Sequence, residues 1–420
     1  MIFMYIFETY LDWRQHTALK LSTLPKTLEG IISQEKFEKS RAYSLDKSHF
    51  QFLLTFITKL MDCANLVFGV FPWFWKRSGD FLVYLGVNAE DEIVHTVVFL
   101  TGVMIWSQIT QLPFSLYSTF VIEARHGLNK QTVWLFFWDT IKGIIRSILI
   151  GPYVVAPAIV IVQKGGPYLA IYLWSFMFVL SIVMMTIYPA LIAPRFNKFT
   201  PLPEGELREK IENLASFLGF PLKKLFIVDG STRSSHSNTD LHSTIMQAYI
   251  YGFFKNKRVV LSDTLIQQCG NVDEVVAVIA REFGHWKLNH TMYSFIAAQI
   301  LTFLQFGGYS LVMNSKDLFQ SLGFDSQPVF IGVIIFQHTV KPLQHLVSFG
   351  LNLVSRSFEF KADAFAKKLG YAAPLRAGLL KLQGENLLAM NTDPCYSTYY
   401  YSHPPLVERL AAIDESAKED

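Results

Sequence analysis

The sequence predicts an all-α membrane protein of several spans with a small α+β region, because of its low charge, its long apolar segments and one polar connection. Of its 420 residues, 51% are hydrophobic and only 17% are charged. Globular domains usually contain about a quarter charged residues. The low charge excludes disorder, and a net charge of +3 is too small to favour a nucleic-acid partner. The three cysteines, Cys63, Cys269 and Cys395, form no zinc or disulfide pattern.

Six apolar stretches are each long enough to cross a hydrocarbon core of ~30 Å. They are Phe50–Trp75, Ile93–Tyr117, Ile144–Val162, Tyr168–Ile192, Thr291–Met313 and Val329–Val354. The opening stretch, Met1–Leu11, is apolar but too short to span, and it lacks the basic region and cleavage site of a signal peptide. We interpret it as the end of a truncated first span or as an interfacial segment. Buried helices of a large soluble protein are the alternative, but six such stretches with so few charges are hard to bury in one.

The charges of the connecting segments predict how the chain is oriented. The segment after Leu11 is basic, whereas the next loop has more acidic than basic residues. The long connection Pro194–His290 is rich in lysine and arginine, and the loop Asn314–Gln327 has only Lys316 as a cation. Because positively charged loops stay in the cytoplasm, this alternation predicts that the long connection and the C-terminus are cytoplasmic.

The long connection has the patterns of a soluble α+β region. Thr200–Gly219 has helical apolar spacing and ends at a glycine. The short apolar runs Leu225–Val228 and Arg258–Leu261 predict two strands. Apolar residues recur at helical spacing in Asp273–Leu288, which predicts a second helix.

This second helix contains most of a metallopeptidase motif. His-Glu-x-x-His on a helix places two imidazoles one turn apart against one zinc ion, and its glutamate serves as general base. Glu282 and His285 stand at the corresponding positions, but Arg281 replaces the first histidine. Glu-x-x-His alone is a weak signal, since most such pairs on helices are structural.

A second helical segment, Ser355–Ala366, brings two carboxylates to the same face, Glu359 and Asp363. A carboxylate from another helix is the third ligand that a His-His-Glu zinc site requires. Asp363, one turn further, is suited to orient a ligand or to transfer a proton. A solvated carboxylate pair is the alternative interpretation.

Together with other segments, these motifs resemble the type I CAAX prenyl protease family of integral-membrane zinc metallopeptidases, and plant members most of all. The resemblance covers essentially the whole chain. The segments that carry it are Phe7–Leu11, Gln34–Tyr43, Pro113–Phe120, Gly127–Gln131, Gly230–Asn238, Tyr251–Arg258 and Phe358–Ala366.

The resemblance implies about seven spanning helices, the first truncated here, that enclose a chamber in the endoplasmic reticulum membrane. It implies a zinc endopeptidase that removes the last three residues of farnesylated or geranylgeranylated CAAX proteins. The implied partners are these prenylated proteins or peptides and the lipid bilayer, with no nucleic acid. The implied regions are 1–193 (membrane), 194–290 (metalloprotease), 291–354 (two further spans) and 355–420 (the segment with the third-ligand helix).

The resemblance also implies a role for each candidate site residue. Glu282 is then the general base, His285 and Glu359 are zinc ligands, and Asp363 is the proton donor. His403, in Ser402–Pro405, matches a family position that is able to stabilise a tetrahedral oxyanion. A polar cap before a proline turn is the alternative for His403.

Three features depart from the family pattern: the short N-terminus, the nine residues Thr239–Gln247 that interrupt a predicted edge strand, and Arg281. A guanidinium has no lone pair for a metal and stays protonated, so we expect Arg281 to pair with Glu282 or Glu359. His290 is expected to point about 140° away from His285 on one helix, and therefore not to replace the missing ligand.

Three interpretations of function therefore stay open. The first is an active zinc endopeptidase of this family, in which another group or water completes the coordination. The second is a catalytically inactive member that still binds prenylated chains or partner proteins in its chamber. The third is a mispredicted gene product, in which the truncation, the insertion and the substitution are not real.

Overall fold

The computed structural model describes residues 2–30, 32–187, 198–229, 248–252, 257–321, 323–324, 326–385 and 387–415. Within them the fold is mostly helical, with one small sheet between two helical regions. The N-terminal helices are α1 (Ile2–Leu19), α2 (Gln34–Val67), α3 (Val70–Tyr84), α4 (Glu92–Tyr117), α5 (Val133–Lys164) and α6 (Leu169–Ile187).

Five helical segments of the described chain are long and apolar enough to cross a membrane. They are Gln34–Val67, Glu92–Glu123, Val133–Lys164, Gly166–Ile187 and His290–Val312. Their large apolar side chains are widely exposed, for example Leu60, Trp134 and Leu304. A bilayer covers such a surface, and a helix satisfies its own backbone hydrogen bonds there. The predicted multi-pass helical fold is therefore confirmed.

The first predicted span differs from the structure. Phe50–Trp75 is not one helix, because α2 ends at Val67 and α3 begins at Val70. Between them Gly69 has a φ of 59°, a left-handed conformation that a right-handed helix cannot continue. An apolar run does not reveal such a break, since hydropathy is unaffected by it.

The last predicted span, Val329–Val354, is the first part of a much longer helix, α12 (Val329–Ala366). The proposed boundary between residues 354 and 355 therefore lies inside one continuous helix. α12 is not among the five segments above, because polar residues such as His338, Lys341 and His345 lower its hydropathy.

The small sheet has four strands, β1 (Phe199–Pro201), β2 (Leu222–Val228), β3 (Ala248–Tyr251) and β4 (Lys257–Ser262), in the order β1-β2-β4-β3. β2 and β4 are parallel, and the two edge strands are antiparallel to their neighbours. Both predicted strands are confirmed as parts of β2 and β4. The insertion Thr239–Gln247 lies outside the described residues, so the expectation that it interrupts an edge strand stays a prediction.

The remaining helices are α7 (Glu206–Leu218), α8 (Asp263–Gln268), α9 (Val272–Lys287), α10 (His290–Val312), α11 (Lys316–Gln320), α13 (Ala372–Glu385), α14 (Pro394–Tyr400) and α15 (Leu406–Glu415). α7 starts later than predicted, because Thr200 belongs to β1. α9 lies in the centre of the main core, where Val276, Ile279 and Phe283 are fully buried. The helix with the Glu-x-x-His motif is therefore held rigidly.

Candidate active site

The two helices that carry the motif residues pack closely because a glycine of α9 leaves room for an aromatic ring of α12. Gly284 of α9 has no side chain, and a Cβ there would lie 3.0 Å from Phe365 of α12. Ala362 and Ala366 of α12 are also fully buried. This close approach brings Glu282 and His285 of α9 to the face of α12 that holds the two predicted carboxylates.

Arg281 lies at the centre of the site and contacts three carboxylates. Its guanidinium donates to Glu282 Oε1 at 2.6 Å and also to Glu359 Oε2. Its Nε lies 3.4 Å from Asp363 Oδ1, and its side chain is only 12% exposed. The expectation that Arg281 pairs with Glu282 or Glu359 is confirmed, since it pairs with both.

These contacts set the charges of the site. Burial acts to lower the pKa of Arg281, but Glu359, Glu282 and Asp363 together raise it above its ordinary value, so the guanidinium stays charged. Burial acts to raise the pKa of Glu359, but Arg281 and other cations lower it to about 2. Burial raises the pKa of Glu282, although Arg281 opposes that shift.

Two imidazoles face the same oxygen of Glu359. The Nε2 atoms of His285 and His403 lie 3.4 and 3.2 Å from Glu359 Oε1. Burial, and then the positive charge of Arg281, lowers the pKa of His285 to about 4, so this ring is neutral near pH 7. His403 is more than a cap of a proline turn here, although its Nδ1 also lies 3.0 Å from the hydroxyl of Ser402.

The predicted orientation of His290 is wrong. Its Nδ1 lies 3.0 Å from Nδ1 of His285, so the two rings face each other. The reason is a break between α9 and α10, since Asn289 has a φ of 57°. The rotation of 100° per residue therefore stops at Leu288, and His290 turns back towards α9.

One residue of the candidate site was not identified from the sequence. Arg409 of α15 donates to both oxygens of Asp363, from Nε at 2.8 Å and from Nη2 at 2.7 Å. The pattern of α15 contains the signal, because Arg409 lies on the same face as the buried residues Leu406, Leu410 and Ile413. A cation on the apolar face of a helix predicts a buried anionic partner.

The structure thus brings all five predicted site residues together. Glu359 contacts His285 and His403 directly, and Arg281 links Glu282, Glu359 and Asp363. The roles assigned to these residues stay predictions, since proximity alone does not establish them.

A zinc ion does not fit this arrangement. Catalytic zinc needs three protein ligands with lone pairs, and Arg281 has none to offer. Its guanidinium already binds the Glu359 carboxylate that is expected to be a ligand. In the described parts of the chain, no group of three His, Cys, Asp or Glu side chains is arranged to hold a metal ion.

Comparison with known proteins assigns this fold to the class of membrane-bound metallopeptidases. Residues 15–198 match the family described as CAAX prenyl protease N-terminal, five membrane helices. Residues 201–417 match Peptidase family M48, which implies a metal cofactor in the family.

Relatives that align with nearly the whole chain identify the family within this class. The chain is 74% identical to a CAAX prenyl protease 1 homolog of Arabidopsis thaliana, over 100% of this chain and 96% of the relative. It is 38% identical to CAAX prenyl protease 1 of Saccharomyces cerevisiae, over 97% of this chain and 92% of the relative. The crystal structure of S. mikatae Ste24p superposes with a TM-score of 0.89 at 38% identity, covering 98% of this chain and 96% of that one. The chain belongs to the CAAX prenyl protease 1 family.

Proposed function

We propose that this chain acts on prenylated proteins with a C-terminal CAAX sequence, at the endoplasmic reticulum membrane. The support for the substrate class is the 74% identity to a relative named CAAX prenyl protease 1 homolog, which extends over the whole chain. The five apolar helices support a membrane location, where a prenylated substrate is also bound by its lipid.

The proposed roles of the site residues follow the family motif. Glu282 is the general base, His285 and Glu359 are ligands of a zinc ion, and Asp363 and His403 act on the reacting peptide. These roles require a third ligand at the position of Arg281. Because the guanidinium cannot supply one, the roles describe the site with a histidine at that position.

The ion pair of Arg281 with Glu359 favours a second function for the chain as it stands, which is binding without hydrolysis. The same guanidinium binds Glu282, so the proposed base and a proposed ligand are both engaged. We therefore infer that the unmodified chain binds prenylated CAAX peptides without cleaving them, and that Arg281→His restores cleavage. The positive charge of Arg281, at the position where the zinc ion would bind, should weaken zinc binding by several kcal/mol. This is on the order of the cost of an unpaired buried charge.

The test measures zinc and peptide cleavage on the same preparations of the full chain in detergent. Elemental analysis should find well below one zinc per chain in the unmodified protein and close to one in Arg281→His. Only the variant should cleave a farnesylated CAAX peptide, while both should bind it. Arg376→His is the matched control, since it makes the same change at a half-exposed arginine that pairs with Asp414.

Two outcomes would contradict these proposals separately. Full zinc occupancy and turnover in the unmodified chain would exclude binding without hydrolysis. If neither protein bound the farnesylated peptide better than the same peptide without its lipid, the proposed substrate class would be wrong.

A further inference from the structure

The described part of the soluble region has almost no large apolar side chain on its surface. In residues 198–229, 248–252 and 257–289, only Phe217 and Leu288 are exposed large hydrophobics, at 77% and 37%. The remaining exposed positions of α7 are polar, for example Glu209, Glu212 and Asn213. Two isolated exposed hydrophobics would need no explanation by themselves, so their position is what matters.

Both residues lie at the same edge of the region, where α7 and α9 end. Lys287, next to Leu288, donates from Nζ to the carbonyl oxygen of Leu218 at 3.3 Å, which joins the ends of the two helices. The buried residues Ile211, Leu214 and Leu218 face the core, so Phe217 is directed away from it. We call Phe217, Lys287 and Leu288 the α7–α9 edge.

This edge is continuous with a membrane-spanning helix. α10 begins at His290, two residues after Leu288, and is one of the five segments able to cross a membrane. Its first turns expose Met292 and Tyr293, each at 57%. The exposed apolar residues of α10 therefore follow Leu288 closely along the chain, with the exposed polar residues Asn289 and Thr291 between them.

The polar group of the edge, Lys287, favours a lipid headgroup layer. Its Nζ lies 5.7 Å from the centre of the ring of Trp286, which itself packs against Phe220 in the core. Lysine extends its charge from apolar surface towards water and phosphate. A water-soluble protein is a less suitable partner for the α7–α9 edge, since the hydrocarbon-facing side of α10 begins directly beside this edge.

We propose that the α7–α9 edge inserts into the headgroup layer of the bilayer beside α10. Glu282 precedes Lys287 by five residues on α9, a distance of roughly 7.5 Å along the helix axis. Insertion of the edge holds the candidate site within about two helical turns of the bilayer surface. The proposal is independent of whether the site hydrolyses peptides, since it concerns only the depth at which the site is held.

The test compares a fluorescent label at position 217 with one at position 209, in the full chain reconstituted into phosphatidylcholine vesicles. Phe217→Cys and Glu209→Cys are made with the exposed Cys63 and Cys395 replaced by serine, while the buried Cys269 is retained. The two labels are eight residues, or about 12 Å, apart on one helix. Lipids with a nitroxide near the headgroup should quench the label at 217 at least twofold more than the label at 209.

Equal quenching at the two positions would overturn the proposal, as would equal reaction with a membrane-impermeant thiol reagent. Leu288→Cys is a second probe of the same edge, in case the label at 217 prevents folding. Protection of position 217 in native membranes but not in vesicles would mean that a protein covers the edge, which also excludes the bilayer as its partner.

Discussion

Arg409 of α15 binds both carboxylate oxygens of Asp363 of α12, at 2.8 and 2.7 Å. Both side chains are buried, with 7% and 2% of their surface exposed. A bidentate pair of this kind fixes the relative orientation of the two side chains as well as the distance between them. It connects the C-terminal helix to the face of α12 that carries Glu359, so the candidate site depends on a residue near the end of the chain.

We expect Arg409→Ala to destabilise the protein strongly, because it leaves a buried carboxylate with Arg281 as its nearest cation. Removing one partner of a buried pair costs about 3–5 kcal/mol. We expect the lower end of that range, since Arg281 Nε lies 3.4 Å from Asp363 and compensates in part. Thermal unfolding of the purified protein in detergent measures the effect.

Arg376→Ala is the matched control for this prediction. Arg376 also pairs with an aspartate, Asp414, but the two side chains are 30% and 51% exposed. Pairs of this kind contribute less than about 1 kcal/mol. Equal losses of stability in the two variants would show that the Asp363 pair contributes no more than a surface pair.

Substitutions of Glu282 and Glu359 should have different effects on zinc content in an Arg281→His background. Glu282→Gln removes only the proposed general base, so we expect normal zinc content with loss of peptide cleavage. Glu359→Gln replaces a proposed ligand, so we expect loss of zinc as well. Zinc content and cleavage of a farnesylated peptide are measured on each variant. Equal loss of zinc in both would mean that the two roles are wrongly assigned.

Much of the fold could be predicted from the sequence, because hydropathy and helical spacing are local properties. The helix of Glu282 and the strand containing Arg258–Leu261 both appear where they were expected. The break at Gly69 could not be predicted. A glycine in an apolar run adopts a right-handed or a left-handed backbone conformation, and hydropathy does not distinguish the two.

The candidate site was predictable to the extent that its residues share a helix turn or a motif. The pairing of Arg281 followed from charge alone, as a guanidinium beside two carboxylates has few other choices. The contact between His285 and His290 did not follow, because it depends on the left-handed conformation of Asn289. The position of Arg409 on the apolar face of α15 predicts a buried anionic partner, but Asp363 is 46 residues away, and a single sequence does not show which carboxylate that partner is.

The free energy of unfolding of the metal-free protein, prepared with a chelator, should fall as the pH is lowered from about 6.5. In the folded chain, burial and the charge of Arg281 lower the pKa of His285 to about 4, against about 6.5 for a free histidine. The unfolded chain therefore binds more protons between these values, so stability decreases as the pH falls through that window. Glu359, with a folded pKa of about 2, adds a further loss below about pH 4.3.

The measurement is the unfolding temperature between pH 8 and 4, for the parent chain and His285→Gln. The variant should lose less stability than the parent between pH 6.5 and 4, because glutamine does not titrate. Parallel curves for the two proteins would show that His285 does not contribute to this pH dependence.

His290 should orient His285 through the hydrogen bond between their Nδ1 atoms, which leaves Nε2 of His285 directed at Glu359. The ring of His290 is also stacked on Phe358, with centroids 4.2 Å apart and planes 8° apart. His290→Phe therefore keeps an aromatic ring for stacking and removes only the hydrogen bond. In an Arg281→His background, loss of such an outer partner should weaken zinc binding by about 10–100-fold.

Competition with a chelator measures this affinity, and Tyr293→Phe, which changes another ring beside Phe358, is the control. Unchanged affinity in His290→Phe, with a normal unfolding temperature, would mean that packing alone orients His285.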